Sequence, residues 1–489
     1  MEGENSSIEK GLLLIRKEES ANTTPFLVFT TFIIVSASFS FGVALGHTAG
    51  TMASIMEDLD LSITQFSVFG SLLTFGGMIG ALFSATIADS FGCKMTLWIT
   101  EVFCISGWLA IALAKNIIWL DLGRFFVGIG VGLLSYVVPV YIAEITPKTV
   151  RGTFTFSNQL LQNCGVATAY YLGNFMSWRI IALIGILPCL IQLVGLFFVP
   201  ESPRWLAKEG RDEECEVVLQ KLRGDEADIV KETQEILISV EASANISMRS
   251  LFKKKYTHQL TIGIGLMLLQ QLSGSAGLGY YTGSVFDLAG FPSRIGMTVL
   301  SIVVVPKAIL GLILVERWGR RPLLMASAFG LCLGCISLAL AFGLKGVPGV
   351  NVNVTPTLAF IGIMVSKNQF SNLYYLQNKK SYFFVLCKCY FLVITFVMMF
   401  AAGLGALPWI IMSEIFPMDM KVVAGSLVSI TNWFTGWIVS YCFNFMLLWS
   451  PTGTFIIFAT ISGATVVFAW CLVPETRGLT LEEIQRRAN

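Results

Sequence analysis

The chain has 489 residues, of which 55% are hydrophobic and only 13% charged, about half the roughly 25% usual in soluble domains. Mean hydropathy is +0.72. This balance excludes an ordinary soluble fold, and a net charge of +2 lacks the bulk basic signal of a nucleic-acid partner. Two histidines, with no phosphate loop, metal cluster or Ser/His/Asp arrangement, leave little room for acid–base chemistry, so neither enzyme activity nor a cofactor is expected.

Residues 1–25 form a polar tail without a cleavage pattern, so the first apolar segment is expected to stay as an anchor. Twelve apolar stretches follow, beginning near Phe26, Phe66, Leu97, Ile117, Thr153, Ile180, Leu260, Ile295, Pro322, Thr357, Val422 and Phe455; the tenth is irregular. About 20 apolar residues cross a hydrocarbon core of about 30 Å. The expected fold is therefore an all-α integral membrane protein with twelve transmembrane helices. Six lie in 26–199 and six in 259–473. A charged linker over 200–258 carries short amphipathic helices, and a tail occupies 474–489. Cations concentrate in the linker and in loops on its side, which places both termini in the cytosol. The eleven cysteines fall mostly inside apolar runs, where a thiol packs as a small hydrophobe; Cys332-x-x-Cys335 has no second pair or histidine beside it.

The two groups of six are written in matched phrases. PVYIAEITPKTVR (139–151) pairs with PWIIMSEIFPMDMK (408–421), so that Glu144 matches Glu414 and Arg151 matches Lys421. Asp89, Cys93 and Lys94 match Glu316, Arg320 and Arg321, and PESPRWL (200–206) matches PETRGLT (474–480). Charges bordering apolar helices are costly, so their repetition in register implies two pseudo-symmetric six-helix bundles.

These phrases, together with Arg124-x-x-x-Gly128-x-Gly130, Gln270-Gln271-Leu272-Ser273-Gly274 and PETRGLTLEEI, resemble the sugar porters of the major facilitator superfamily over about residues 26–485. GSVFDLAGFPS and Val305-Pro306-Lys307 resemble the plant subgroup named for early response to dehydration. The resemblance implies alternating-access transport of a monosaccharide such as glucose or fructose. It implies substrate contacts at Gln159, Gln270, Gln271, Tyr280, Trp409, Asn432 and Trp433. Amides supply both donors and acceptors to hydroxyls, and Trp covers an apolar sugar face; interhelical polar glue is the alternative role. Ala276 stands where the family places Asn, so sugar preference or affinity is expected to differ. The resemblance also implies an inner gate of ion pairs among Asp89, Lys94, Glu144, Arg151 and Glu201 in one half, with Arg124 of the fourth helix in the same charge network, where it would face an acid of the first helix. In the other half the set is Glu316, Arg320, Arg321, Glu414, Lys421 and Glu475; Cys93 replaces an Arg of the first motif. Proton-driven members carry Asp in the first helix, and here Gly46-His47-Thr48 puts Thr in its place. Facilitated diffusion is expected, with proton symport, His47 titrating, as the alternative. A transporter of a different substrate on the same fold is the other alternative. No partner is implied beyond sugar and bilayer, and a monomer suffices. Glu9-Lys10-Gly11-Leu12-Leu13-Leu14 fits an acidic dileucine signal directing such a protein to the vacuolar membrane, with the plasma membrane as the alternative.

The matched phrases also expose an insertion. Asp89 and Glu316 are offset by 227 and Glu144 and Glu414 by 270, leaving 43 additional residues in the second half. Most lie in 366–392, SKNQFSNLYYLQNKKSYFFVLCKCYFL, between TLAFIGIMV and VITFVMMFAAGLGALPW, which join into one apolar helix without it. Its four lysines would cost about 2.5–3.5 kcal/mol each at mid-membrane depth. The stretch reads as a retained intron or gene-model error, with a re-entrant loop as the alternative. Transcript sequencing across Val365–Val393 is expected to find only messages lacking it; abundant mature message carrying it would overturn that reading.

Overall fold

The computed structural model describes residues 23–147, 149–224, 227, 229–243, 256–289, 292–344, 399–416 and 421–476. The dileucine pattern, residues 366–392 and the end of the C-terminal tail lie outside the described residues, as do the side chains of Glu316 and Lys421. All regular structure among the described residues is helical.

The first half contains α1 (Pro25–Leu59), α2 (Ile63–Phe91), α3 (Cys93–Ala112), α4 (Ile117–Ile145), α5 (Arg151–Leu172) and α6 (Trp178–Gly195). Local signals set the boundaries. Thr24 caps α1 by accepting from Leu27 N, with Pro25 in the first turn, where a missing N–H costs nothing. Ser62 and Gln65 form a reciprocal capping box at α2, and Asn116 caps α4. The linker holds α7 (Pro203–Lys208), α8 (Asp212–Arg223) and α9 (Val230–Ser243). These pack on one another and on the ends of α1 and α4. Thr24 Oγ1 donates to Leu222 O at 2.9 Å, and Arg223 Nη1 donates to Ile145 O at 2.7 Å. The linker thus defines one end of the molecule.

The second half contains α10 (Thr257–Leu272), α11 (Ser275–Ala289), α12 (Ser293–Trp318) and α13 (Arg320–Leu344), then a π-helical turn at Phe400–Leu404, α14 (Leu407–Ile415), α15 (Lys421–Trp449) and α16 (Pro451–Leu472). The single apolar stretch expected from Leu260 is two helices. Gly274 takes φ +91, and a Cβ there would stand 2.7 Å from the Phe458 ring, so only glycine makes this break. The described part of the tenth stretch is the π-turn and α14; its expected start near Thr357 lies outside the described residues.

Eight of the described helices are long and apolar enough to cross a membrane. Broken α10–α11 and polar α5, which carries Asn158, Gln159, Gln162 and Asn163, are not among them. α10 and α11 are each too short, and the polar groups of α5 suit a segment that faces protein instead of lipid. Within the first half α2 packs on α4 and α1 on α5; within the second, α13 packs on α16 and α10 on α15. The halves meet through α2 with α15, α5 with α12, and α1 with α11.

The crossing of α1 with α5 has no side chain at its centre. A Cβ on Gly42 would strike the Gln162 carbonyl, and one on Gly165 would strike Phe39 O. In lipid, such close approach is what drives helix association. Gly165→Leu is therefore expected to cost about 1–3 kcal/mol or more, read as a lower melting temperature and a loss of monodisperse protein in detergent.

Candidate functional site

The break in the seventh stretch frees backbone groups at the centre of the second half, and side-chain amides gather there. Gln270 Nε2 donates to Leu404 O at 2.8 Å and Gly405 O at 2.9 Å, both acceptors on or beside the π-turn. Gln270 Oε1 accepts from Asn432 Nδ2 at 2.7 Å, and Asn432 Oδ1 accepts from Gln271 Nε2 at 3.1 Å. Ser275 Oγ lies 3.1 Å from both Gln271 Oε1 and Gln270 O. One continuous chain of polar groups thus links α10, α11, α15 and the π-turn. Gln270 and Asn432 are buried, whereas Gln271 and Ser275 are half-buried and remain open on one side.

Aromatic rings flank this chain. Trp433, next to Asn432, stacks on Phe41 of α1 with ring centroids 6.4 Å apart and planes at 28°. Gly77 of α2 lies under the same indole, where a Cβ would stand 2.6 Å from Cζ3. Trp409 packs with Leu260, Met267 and Val428, the apolar cluster between α10, α14 and α15. Tyr280 is buried on α11. The structure thus joins Gln270, Gln271 and Asn432 directly and places Trp409 and Trp433 at their edges. Gln159 stands apart on α5, exposed, and no described hydrogen bond connects its side chain to them. Ser275 belongs to this set and lies beside Ala276, where an amide was expected. Asn158 Oδ1, which accepts from Ser38 Oγ at 2.5 Å, faces α1 from α5. Neither Ser275 nor Asn158 carried a signal beyond being polar within an apolar run.

The charges at the linker end repeat across the halves. Glu201 accepts from the backbone N–H of Lys94 at 3.0 Å and of Ser202 at 2.9 Å. Glu475 accepts from the N–H groups of Arg320 and Arg321, each at 3.1 Å, and from Thr476 N at 3.0 Å. Each carboxylate caps the start of a helix, where the macrodipole favours negative charge. Each also lies against a left-handed glycine, Gly92 (φ +87) or Gly319 (φ +86). Burial pushes the Glu201 carboxyl above its usual range, and the amide donors hold it back. The third member breaks the symmetry. Arg320 Nη2 pairs with Glu414 Oε1 at 3.1 Å. In the first half Glu144 Oε2 accepts instead from Ser202 Oγ at 2.5 Å and faces the Cys93 thiol at 3.6 Å.

Other expected gate residues are placed differently. Asp89 pairs with Lys208 of α7 at 3.6 Å on an exposed surface. Arg151 Nη2 donates to the Thr146 carbonyl at 3.5 Å. Arg124 stands away from the linker-end charges and faces α1. It sits 20 residues before Glu144 in α4, about 30 Å along the helix, fully buried and donating from Nη2 to Thr48 Oγ1. His47 is fully buried, with Nε2 3.3 Å from Trp178 O and its ring edge-on to Trp108 and Phe69. Glu101, a buried acid in α3 that sequence reasoning passed over, lies against the Cys189 thiol of α6.

The halves are tied together away from the linker end. Asn444 Nδ2 donates to Ser67 Oγ at 2.9 Å, and Tyr170 OH donates to Gly279 O at 3.0 Å. Asn174 Nδ2 donates to Arg294 O and Thr298 Oγ1, each at 3.1 Å, and Ser284 Oγ lies 3.0 Å from Met52 Sδ. The described hydrogen bonds of the linker-end charges stay within their own halves.

A family model described as "Sugar (and other) transporter" matches residues 27–488. Sugar transporter ERD6-like 12 of Arabidopsis thaliana is 69% identical over 488 residues, covering 99% of both chains. Sugar transporter ESL1 of the same plant is 50% identical over 489 residues, covering 99% of this chain and 97% of that protein. Among solved structures, the proton:xylose symporter XylE bound to 6-bromo-6-deoxy-D-glucose superposes with a TM-score of 0.73 at 23% identity, covering 95% of this chain and 99% of that one. The inward open conformation of the xylose transporter XylE from E. coli gives 0.73 at 23%, covering 94% and 99%. With its matched halves and its polar seam at a broken helix, the chain belongs to the sugar transporter family and has the major facilitator fold.

Proposed function

We propose that this protein carries a monosaccharide, a hexose such as glucose or fructose, across a membrane by alternating access and facilitated diffusion. The observation that carries this reading is the uncharged amide chain Gln270–Asn432–Gln271, edged by Trp409 and Trp433, at the seam of α10, α15 and the π-turn. A neutral polyol needs donors, acceptors and flat apolar faces, and a field of fixed charge would bind its water instead. The plant relatives are named sugar transporters, and the solved neighbours are xylose carriers, which supports the same substrate class. The hydrogen bonds tying the halves together away from the linker suit a conformation closed at that end. With the linker in the cytosol, as its cations suggest, the cavity opens inward, and the vacuolar membrane is the proposed site of action.

Thr48 opposite Arg124 supports uncoupled transport, since a hydroxyl cannot release a proton at physiological pH. The buried Glu101 favours a second reading, proton symport, because an intramembrane carboxyl can titrate. It faces Cys189 and not Arg124, so facilitated diffusion is kept as the first reading.

In transporter-deficient yeast, labelled glucose or fructose is expected to enter down its gradient, with xylose as the comparison, and to be unaffected by a protonophore. Collapse of uptake on adding the protonophore would overturn the facilitator reading, and Glu101→Gln and His47→Ala would then locate the proton. Gln270→Ala leaves the Leu404 and Gly405 carbonyls and the Asn432 amide short of partners. It is expected to lower uptake about tenfold, as initial rate normalised to surface protein.

The linker-end charges are proposed to lock that end when the cavity faces the other way. Arg320→Ala and Glu144→Ala are expected to keep expression and reduce uptake, with the larger loss at Arg320, whose partner is a full ion pair. Wild-type rates in both would refute the gating role.

A further inference from the structure

Among the described residues, Arg124 is a buried cation without a carboxylate partner. Its side chain is fully enclosed. Nη2 donates to Thr48 Oγ1, and the guanidinium carbon lies 5.2 Å from the Phe69 ring centroid. Nε and Nη1 have no hydrogen-bond partner among the described residues. The elements around it present His47 and Thr48 from α1, Phe69 and Gly70 from α2, and Tyr280 and Tyr281 from α11. None of these is an acid, and all are buried. The Tyr281 hydroxyl lies beside Gly70, with Ser67 of α2 approaching it. Ser67 donates to Ile63 O and accepts from Asn444, which leaves it one lone pair for the phenol in the closed arrangement.

A guanidinium does not shed its charge in a protein. Burying it away from water without a counter-charge is among the costliest arrangements a fold can hold. One hydroxyl and one aromatic face offset only part of that cost. The unused groups here are donors, the N–H groups on Nε and Nη1 of the guanidinium, and beside them stands a phenol that can also donate. Unsatisfied donors around a fixed positive charge complement an anion. The enclosure restricts its size, because Phe69, Tyr281 and Thr48 pack around the guanidinium and a sugar acid brings a ring and several hydroxyls.

We propose that Arg124, Thr48 and Tyr281 form a site for one small monovalent anion, chloride, which supplies the negative charge that α1 lacks at position 48. Tyr281 stands on the second half, whereas Arg124 and Thr48 stand on the first. The bound anion therefore bridges the halves near the end where they are closed, and occupancy favours that closed state. When α11 moves away, the site loses a donor and the anion is held less tightly, so anion binding and alternating access are linked.

The test reads anion binding as thermal stability, and so stands whether or not sugar uptake is found. The purified full chain in detergent is titrated with sodium chloride against sodium gluconate at constant ionic strength. Melting temperature is expected to rise saturably, by about 2 °C or more, with bromide acting like chloride and glucuronate without effect. Tyr281→Phe keeps the packing and removes one donor, and is expected to shift the chloride midpoint about fivefold higher. Thr48→Asp places a carboxylate beside the same guanidinium and is expected to abolish the response. A wild-type protein indifferent to chloride would overturn the proposal. So would an unchanged midpoint in Tyr281→Phe, an undiminished response in folded Thr48→Asp, or stabilisation by glucuronate alone.

Discussion

The Gln270 side chain holds together the two places where the helical ladder of the second half fails. In a bilayer interior each unpaired backbone group costs several kcal/mol, so a break in a helix survives only where something else completes its hydrogen bonds. The Ser273–Gly274 break and the π-turn at Phe400–Leu404 lie against each other, and Gln270 spans them by donating to Leu404 O and Gly405 O. Its own carbonyl is then free to accept from Asn432, which recruits Gln271. The polar surface proposed to meet sugar is thus a by-product of repairing two broken helices. A cavity lined this way presents amides where intact helices would present only methyl groups.

The linker end solves a related problem twice. A chain reversing between two membrane helices in a few residues leaves the next helix's first N–H groups bare. In both halves a carboxylate from beyond the sixth membrane helix of that half fills them, and a left-handed glycine makes room for it. The shared geometry explains why the same phrases recur in the sequence. The asymmetry is equally physical. Arg320–Glu414 is an ion pair between half-buried groups, whereas Cys93 offers Glu144 only a weak thiol donor at 3.6 Å. Ser202 takes over part of the arginine's role, so the two halves of the proposed gate differ in strength. The α8–α9 helices, clamped to the end of α4 by Arg223, add support on the weaker side.

Arg124 shows how one substitution propagates. Thr48 lacks the charge of the aspartate expected at its position in proton-driven relatives of the fold, yet the guanidinium is kept and fully buried. That combination separates the proton question from the charge question. A threonine at position 48 cannot titrate, and the buried guanidinium leaves a positive charge to be balanced by other means.

Membrane class, helix order and the matched halves were all legible from residues alone, because apolar length and costly charges obey the bilayer before any tertiary contact forms. The glutamates at 144, 201, 414 and 475 were legible too, through their repetition. The structure alone placed the rest. It divided the seventh stretch into α10 and α11, paired Asp89 with Lys208 of α7, and enclosed His47 among Trp108, Phe69 and Trp178. It set Gln159 apart from the amides of the second half and brought Ser275 and Asn158 into view. Hydropathy reports how deep a residue sits, but not which neighbour it faces. Which amide meets which carbonyl depends on helix rotation and on close crossings such as Gly42 with Gly165, and these exist only when the helices pack.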